Sequence, residues 1–411
     1  MSVWPFRHNW ARPLVERLAW STAVARAWNG AEERRSNRTM PRRALDQRVT
    51  VHGSAAAYAD ALLWEADRGL MDIPVWQDVS LLNAGAGIGA ELLELDTSDR
   101  GFVVGARVLL LGAFDYHETV IITNVAEGQL GITALTKSWP IGATVYPLIE
   151  ARLSGDYVSQ RVTAGVGDSQ TTWVQLDGID ADAGAPAATY RGVEVLTRRP
   201  NRVTPVSLSY ERDLDVLDNT SGVITIEQRA TRPRMGQRFE FITVRRADRA
   251  SLMRFLFRRR GRREAFWHPS YQTDLKLLEP AAAPDTTIKV QSIGADSLYD
   301  GGFNRTDIAL FTTSGVRYRR IVSWIGEVMT LDLPIGVPVG RDVMICFLTL
   351  SRLSTDLVEL SHETAEVARC SISTVSLLSD EAGESDLQFL FLVDGAPYTP
   401  PSWDQLNFQV P

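Results

Sequence analysis

The chain has 411 residues, 45% hydrophobic and 23% charged, with a formal net charge of −7. That length exceeds what one core usually serves, and a negative balance argues against a dedicated nucleic-acid binder, which needs a cationic face. No run reaches the roughly 18 uninterrupted apolar positions of a spanning helix; the best, Phe102 to Phe114, is broken by Arg107.

Arg7, Arg12, Glu16 and Arg17 among the first twenty residues exclude a signal-peptide pattern. Residues 1–11 read as an N-terminal arm: Trp4, Phe6 and Trp10 around Pro5 are too apolar for free solvent and suit packing on a neighbouring module or subunit. An arginine-studded extended segment follows, from Gly30-Ala31-Glu32-Glu33-Arg34-Arg35 through Arg38 to Arg43. Ser54 to Gly69 predicts a helix, with Ser54 as cap, an apolar stripe of Ala57, Ala61, Leu62 and Trp64, and a terminal glycine. Trp76 comes just after it. Gly85-Ala86-Gly87-Ile88-Gly89 lacks the G-x-G-x-x-G spacing and no P-loop lysine follows, so a flexible connector is expected.

The small residues Asp182 to Ala188 predict a linker over 181–205. Asp213 to Asn219 carries acidic side chains, but its fifth position is Leu217, where a calcium loop needs an oxygen ligand; a solvated helix or loop is expected. A second arginine-studded segment, Ile226 to Arg238, precedes a second helix, Asp248 to Gly261, with a stripe of Leu252, Phe255 and Leu256, and then Trp267. Alternating runs at Thr286–Val290, Asp307–Phe311, Val316–Val322 and Val328–Leu331 have the period of strands. Residues 379–411 form a C-terminal segment and arm with Tyr398, Trp403 and Phe408 among prolines.

The chain repeats itself. Arg152-Leu153-Ser154-Gly155-Asp156 matches Arg352-Leu353-Ser354-Thr355-Asp356, and Trp139-Pro140-Ile141-Gly142 is set against Leu333-Pro334-Ile335-Gly336. Asp99-Arg100-Gly101-Phe102 is set against Asp300-Gly301-Gly302-Phe303. Two tandem modules are therefore expected, 12–180 and 206–378, each an α+β, strand-dominated sandwich or barrel with one amphipathic helix.

The run from Gly222 to Trp267 resembles the distal tail protein family of siphophages and gene transfer agents. The likeness rests on Glu227-Gln228-Arg229, Gly236-Gln237-Arg238-Phe239-Glu240-Phe241, the helix to Arg259-Arg260-Gly261-Arg262, and Phe266-Trp267. The first half shows the same order through Glu33-Arg34-Arg35, Arg42-Arg43, Ala61-Leu62-Leu63-Trp64, Arg68-Gly69 and Val75-Trp76. The resemblance implies a virion structural protein of a long non-contractile tail tip, assembled in the host cytoplasm. It implies a ring joining the tail tube to baseplate or fibres, with the tube, tape measure, hub and fibre proteins as partners. Two modules per chain suit a trimer with pseudo-six-fold symmetry, slightly preferred over a hexamer.

Of the 43 basic residues only Lys137, Lys276 and Lys289 are lysine, and arginine's planar fork suits protein interfaces. Arg258, Arg259, Arg260, Arg262 and Arg263, with Trp4, Phe6, Trp10, Tyr398 and Trp403, are the candidate intersubunit contacts. The histidines His8, His52, His117, His268 and His362 stand singly, and no nucleophile elbow or carboxylate pair stands out. No enzyme, cofactor, metal site, membrane segment or specific nucleic-acid partner is expected. Cys346 and Cys370 read as buried reduced thiols. The alternative is a receptor- or carbohydrate-binding tip protein using Trp324, Tyr299, Tyr271 and Trp403.

Overall fold

A computed structural model describes residues 2–27, 30–177, 183–220, 222–228, 233–292, 294 and 305–377, plus a short strand pair at 392–393 and 396–397. Strands dominate, and nearly every pairing between them is antiparallel. Among the described residues, no helix is long and apolar enough to cross a membrane.

The first half runs β1 (Leu14–Ala19), β2 (Thr22–Arg26), β3 (Glu32–Ser36), β4 (Arg42–His52), α1 (Ser54–Glu65), β5 (Leu70–Pro74), β6 (Ser80–Leu81), β7 (Leu92–Glu94), β8 (Arg107–Ala113), β9 (Tyr116–Ala126), β10 (Gln129–Ile132), β11 (Thr144–Leu153), β12 (Val158–Thr163) and β13 (Val166–Gln175). A small hairpin, β14 (Thr189–Tyr190) and β15 (Val193–Glu194), precedes the second half. There β16 (Ser207–Glu211), β17 (Leu214–Asp218), β18 (Ile224–Gln228), β19 (Arg234–Thr243), α2 (Arg246–Arg259) and β20 (Phe266–Pro269) are followed by β21 (Thr287–Lys289), β22 (Asp307–Thr312), β23 (Gly315–Ile325), β24 (Val328–Leu331), β25 (Met344–Leu353), β26 (Leu357–His362) and β27 (Ala368–Ser376).

Most of the pairings in the two halves correspond. The ladder β4–β13 answers to β19–β27, β5–β11 to β20–β25, β8–β9 to β22–β23, β7–β10 to β21–β24, and β12–β13 to β26–β27. Register agrees too: Val15 faces Asp46 as Ser207 faces Arg238, and Thr22 faces Ser36 as Leu214 faces Gln228, each 192 residues on. In both halves β11 or β25 is long enough to serve two cores. Its start closes a small barrel, filled by Leu93, Val120, Leu130 and Trp139 in one case and Ile288, Ile321, Met329 and Ile335 in the other. Its end joins the sheet on which the helix packs, over Trp173, Ile73 and Ala59 or over Phe241, Phe255 and Ile372.

Several expectations change. Trp139 exchanges hydrogen bonds with Ala86 as Val339 does with Ala281, so Trp139 corresponds to Val339 and not to Leu333. The shared Pro-Ile-Gly lies in two different turns, because the connections into β11 and β25 are equally long. The same bonds make the Gly85–Gly89 loop a packed element instead of a loose connector. On α1 the sheet takes Ala56, Ala59 and Leu62, and Trp64 is 93% exposed. Small residues at intervals of three allow close approach to the sheet, and the turn at Gly53 (φ 54°), which replaces the expected Ser54 cap, sets that face. On α2, Leu252, Phe255 and Leu256 are buried as expected. Residues 214–218 form strand β17, neither helix nor loop.

The expected arm and linker are corresponding pieces of structure. Val3 bridges Asp72 in parallel, and Val195, 192 residues after Val3, bridges Trp267 in parallel. Trp4 and Leu196 follow them, both buried. Residues 193–196 therefore belong to the second half's core, and the segment 181–205 is no free linker where it is described. Asp300–Phe303 and residues 398–411 lie outside the described residues.

Candidate functional site

One antiparallel sheet crosses both halves in the order β12, β13, β4, β1, β26, β27, β19, β16. Side chains alternate between its faces. One face is the apolar core carrying Leu14, Leu18, Trp173, Phe239 and Leu360. The other bears paired opposite charges: Arg17 with Asp46 and Glu359, Arg48 with Asp168, and Arg369 with Glu240 at 3.5 Å. Each pair joins neighbouring strands, so the polar face is self-compensated and has no large field of one sign.

The junction between the halves is built around β1 and β26, with Leu14 opposite His362 and Ala19 opposite Leu357. Glu16 points into the core side of this ladder. Its Oε1 accepts from Arg43 Nε at 2.7 Å, and its Oε2 accepts from Gln77 Nε2 at 3.1 Å and from His362 Nε2 at 2.9 Å. Burial alone would raise the Glu16 pKa, but Arg43 and His362 hold it far below the usual carboxylate range.

The hairpin β2–β3 of the first half extends over the second half. Glu32 receives a two-pronged contact from Arg352, Nε at 2.6 Å and Nη2 at 3.0 Å, with both side chains almost wholly buried. Arg234 stands 3.6 Å away. Burial works against ionised Glu32, and Arg352, Arg234 and Arg26 together outweigh it, so its pKa is lowered. Beside this pair Asp356 accepts from the Thr22 N–H at 2.8 Å, the Thr22 hydroxyl at 2.8 Å and the Arg262 N–H at 2.9 Å. Gly261 (φ 69°) passes so close that an added Cβ would lie 2.3 Å from Asp356 Oδ1 and 2.7 Å from Trp20 Cβ. From the other side α2 reaches back to the first half: Arg246 donates to Gln77 O at 2.7 Å, buried Arg249 pairs with Asp78, and Arg254 pairs with Asp99 at 2.8 Å.

The arginine cluster expected at subunit contacts is largely consumed inside the chain. Arg258 and Arg259 both pair with Glu194, and Arg259 also lies over the Phe255 and Phe266 rings. Arg262 pairs with Asp356 and Arg263 with its neighbour Glu264. Arg260 is the exposed left-handed cap of α2 (φ 49°). Trp4 and Phe6 are corrected as well: both are buried in their own half, Trp4 with its ring centroid 5.6 Å from Trp173 and Phe6 stacked on Phe114. A side chain already buried in its own core has no surface left for a neighbour. Trp10 is 37% exposed and packs edge-on to His8. Tyr398 and Trp403 are outside the described residues.

Of the aromatic residues expected for receptor contact, Trp324 and Tyr271 are buried, and the Tyr271 hydroxyl donates to Leu196 O. That removes the described part of the proposed glycan surface; Tyr299 and Trp403 are outside it. Among the described residues, no group of three or more His, Cys, Asp or Glu could hold a metal. Both cysteines are buried free thiols, and burial pushes each up to about 12. The open clefts beside the end of α2 are lined by the same salt-bridged residues, Glu194, Arg258 and Arg259 among them.

No family model and no curated protein matches this chain.

Glu16, Glu32, Asp356, Arg352 and His362 carry the junction, and no local pattern in the sequence marks them as contacts. Arg352 and Asp356 were visible as the repeated R-L-S-x-D, but a repeat alone does not say what it touches. Glu32 lies some 320 positions from its partner, and no local signal links them.

Proposed function

We propose that this chain is a structural component of the tip of a long non-contractile phage tail, forming a distal-tail or baseplate-hub ring. The observation that carries this reading is the eight-stranded sheet made of two corresponding four-strand units joined head to tail by β1 and β26. A unit that binds its neighbour head to tail builds a ring when the rotation closes. Three chains would supply six near-equivalent units around one axis, matching the expected six-fold tube.

The polar face of the sheet supports the same role. Charges paired across strands offer no uncompensated cationic track, so a filament passing through the ring would not be held by its phosphates. The interior supports a scaffold over an enzyme: its buried charges, Glu16, Glu32 and Glu194, are each tied into ion pairs that hold elements together. Tail tube and tape measure would meet one rim of the ring, with hub or fibre proteins at the other.

Mixing the purified chain with the tail-tube protein of the same genome tests the reading. Negative-stain images should show rings seated on one end of each tube. Tubes left bare at both ends, with the chain running free, would overturn it.

A further inference from the structure

Among the described residues, the sheet that crosses the chain ends in two strands paired on one side only, β12 in the first half and β16 in the second. In the strand correspondence β12 answers to β26 and β16 to β1, and those two are the strands that join the halves. The chain therefore contains one completed copy of a junction and the two separated sides of another.

The separated sides look like an uncovered version of the completed one. Glu16 and Leu18 of β1 are 2% and 0% exposed; their counterparts Leu208 and Tyr210 are 45% and 60% exposed. Arg352 is sealed under the β2–β3 hairpin by Glu32, whereas Arg152, at the same place in the first half, is exposed. The counterpart hairpin β17–β18 is exposed along both strands, with Val216, Ile224 and Ile226 outward and no second half beneath it. Phe257 near the end of α2 packs edge-on against Trp20 of the first half, while Trp64 near the end of α1 stands in solvent. Neither open edge contains the proline or lysine that commonly blocks edge pairing.

We infer that the β16 edge and β17–β18 hairpin of one copy dock on the β12 edge and the Arg152–Asp156 loop of a second copy, continuing the sheet from chain to chain. The occupant is a second copy because the completed junction within the chain shows what such an edge accepts. Carrying the β1–β26 register across the correspondence sets Ser207 opposite Gln160, Leu208 opposite Ser159, Ser209 opposite Val158 and Tyr210 opposite Tyr157, antiparallel. The inference rests on the ring reading for the number of copies only. Closure with three chains would make a 24-stranded antiparallel barrel on the order of 40 Å across, lined by the paired-charge face.

The test uses full-length chains. Opposed positions in an antiparallel ladder have Cα atoms about 4.5–5.5 Å apart, within disulfide range. A chain carrying Ser209→Cys is mixed with a differently tagged chain carrying Val158→Cys and oxidised; the native thiols are both buried. A covalent heterodimer is expected from the mixture, and neither chain alone should cross-link through its new cysteine. Separately, Leu208→Lys with Tyr210→Lys should abolish the assembly in native mass spectrometry and leave the circular dichroism and melting temperature of the single chain intact. Assemblies that persist in the lysine variant, or that give no heterodimer, would overturn this docking surface and leave a ring built some other way. A heterodimer within assemblies of a chain number other than three would keep the docking and overturn the three-chain ring. Wild-type chains that stay single at every concentration would overturn both.

Discussion

Glu32→Ala offers the sharpest energetic test of the junction. The carboxylate lies over the Arg352 guanidinium with two charge-assisted bonds of 2.6 and 3.0 Å, and the two side chains are 3% and 2% exposed. Removing the acid leaves Arg352 buried with one remaining acceptor, Leu353 O at 2.9 Å, and with Arg234 facing the same vacated space. Breaking a buried pair from one side costs about 3–5 kcal/mol, and the second guanidinium places this case toward the upper end. Arg352→Ala should cost less, because Glu32 keeps Arg234 at 3.6 Å and Arg26 at 3.3 Å. Arg152→Ala supplies the internal control: the same residue type at the corresponding place, uncovered in the single chain, and worth no more than about 0.5 kcal/mol. Urea unfolding of dilute, unassembled chains, followed by tryptophan fluorescence, reads all three. A cost below about 1 kcal/mol for Glu32→Ala, or equal costs at Arg152 and Arg352, would refute the claim that the first half's hairpin seals the second half.

Gly261→Ala should lower stability well beyond the roughly 1 kcal/mol of a left-handed alanine, because its Cβ meets Asp356 and Trp20; Gly89→Ala, left-handed in open space, gives the baseline in the same thermal melts. His268 is wholly buried, and that burial lowers its pKa to about 4. The unfolded chain then binds a proton near pH 6.5 that the folded chain refuses, so stability is full above 6.5 and falls toward pH 4, at roughly 1.4 kcal/mol per unit. His268→Asn should flatten that part of the pH profile in urea titrations. Glu16, lowered by Arg43 and His362 against its burial, adds stability that is complete above about 4.5 and declines as pH falls further; Glu16→Gln should remove this second acid-side loss. A thiol reagent at pH 8 should label neither Cys346 nor Cys370 until denaturant is added, since burial raises both thiols to about 12.

Much of the strand pattern was legible because period-two runs such as Val328–Leu331 alternate covered and uncovered side chains, as β24 does; Asp307–Phe311 also forms a strand but is covered on both faces. The second helix was legible for a similar reason: large apolar side chains at Leu252, Phe255 and Leu256 leave one face to bury. The first helix was misread because its contact face is made of alanines, so hydrophobicity pointed to Trp64 while close packing chose Ala56 and Ala59. The arms and the linker were misjudged for want of long-range information. Trp4 looks like a loose aromatic until Trp173 and Asp72 are brought beside it by pairings about 70 to 170 residues long. The arginine run illustrates the same limit: its charges were plain, but Glu194 and Asp356, which neutralise them, are distant in the chain. Repeats located the correspondence but not its register, which the backbone bonds of Ala86 with Trp139 and of Ala281 with Val339 fix instead.

End-on cryo-electron microscopy averages of the assembled chain probe the head-to-tail ring most directly. Three chains of 45.6 kDa should appear as six similar lobes around an open centre, with density continuous from lobe to lobe at the height of the sheet. Averages showing a lone two-lobed particle, or lobes that touch without a shared sheet, would contradict it.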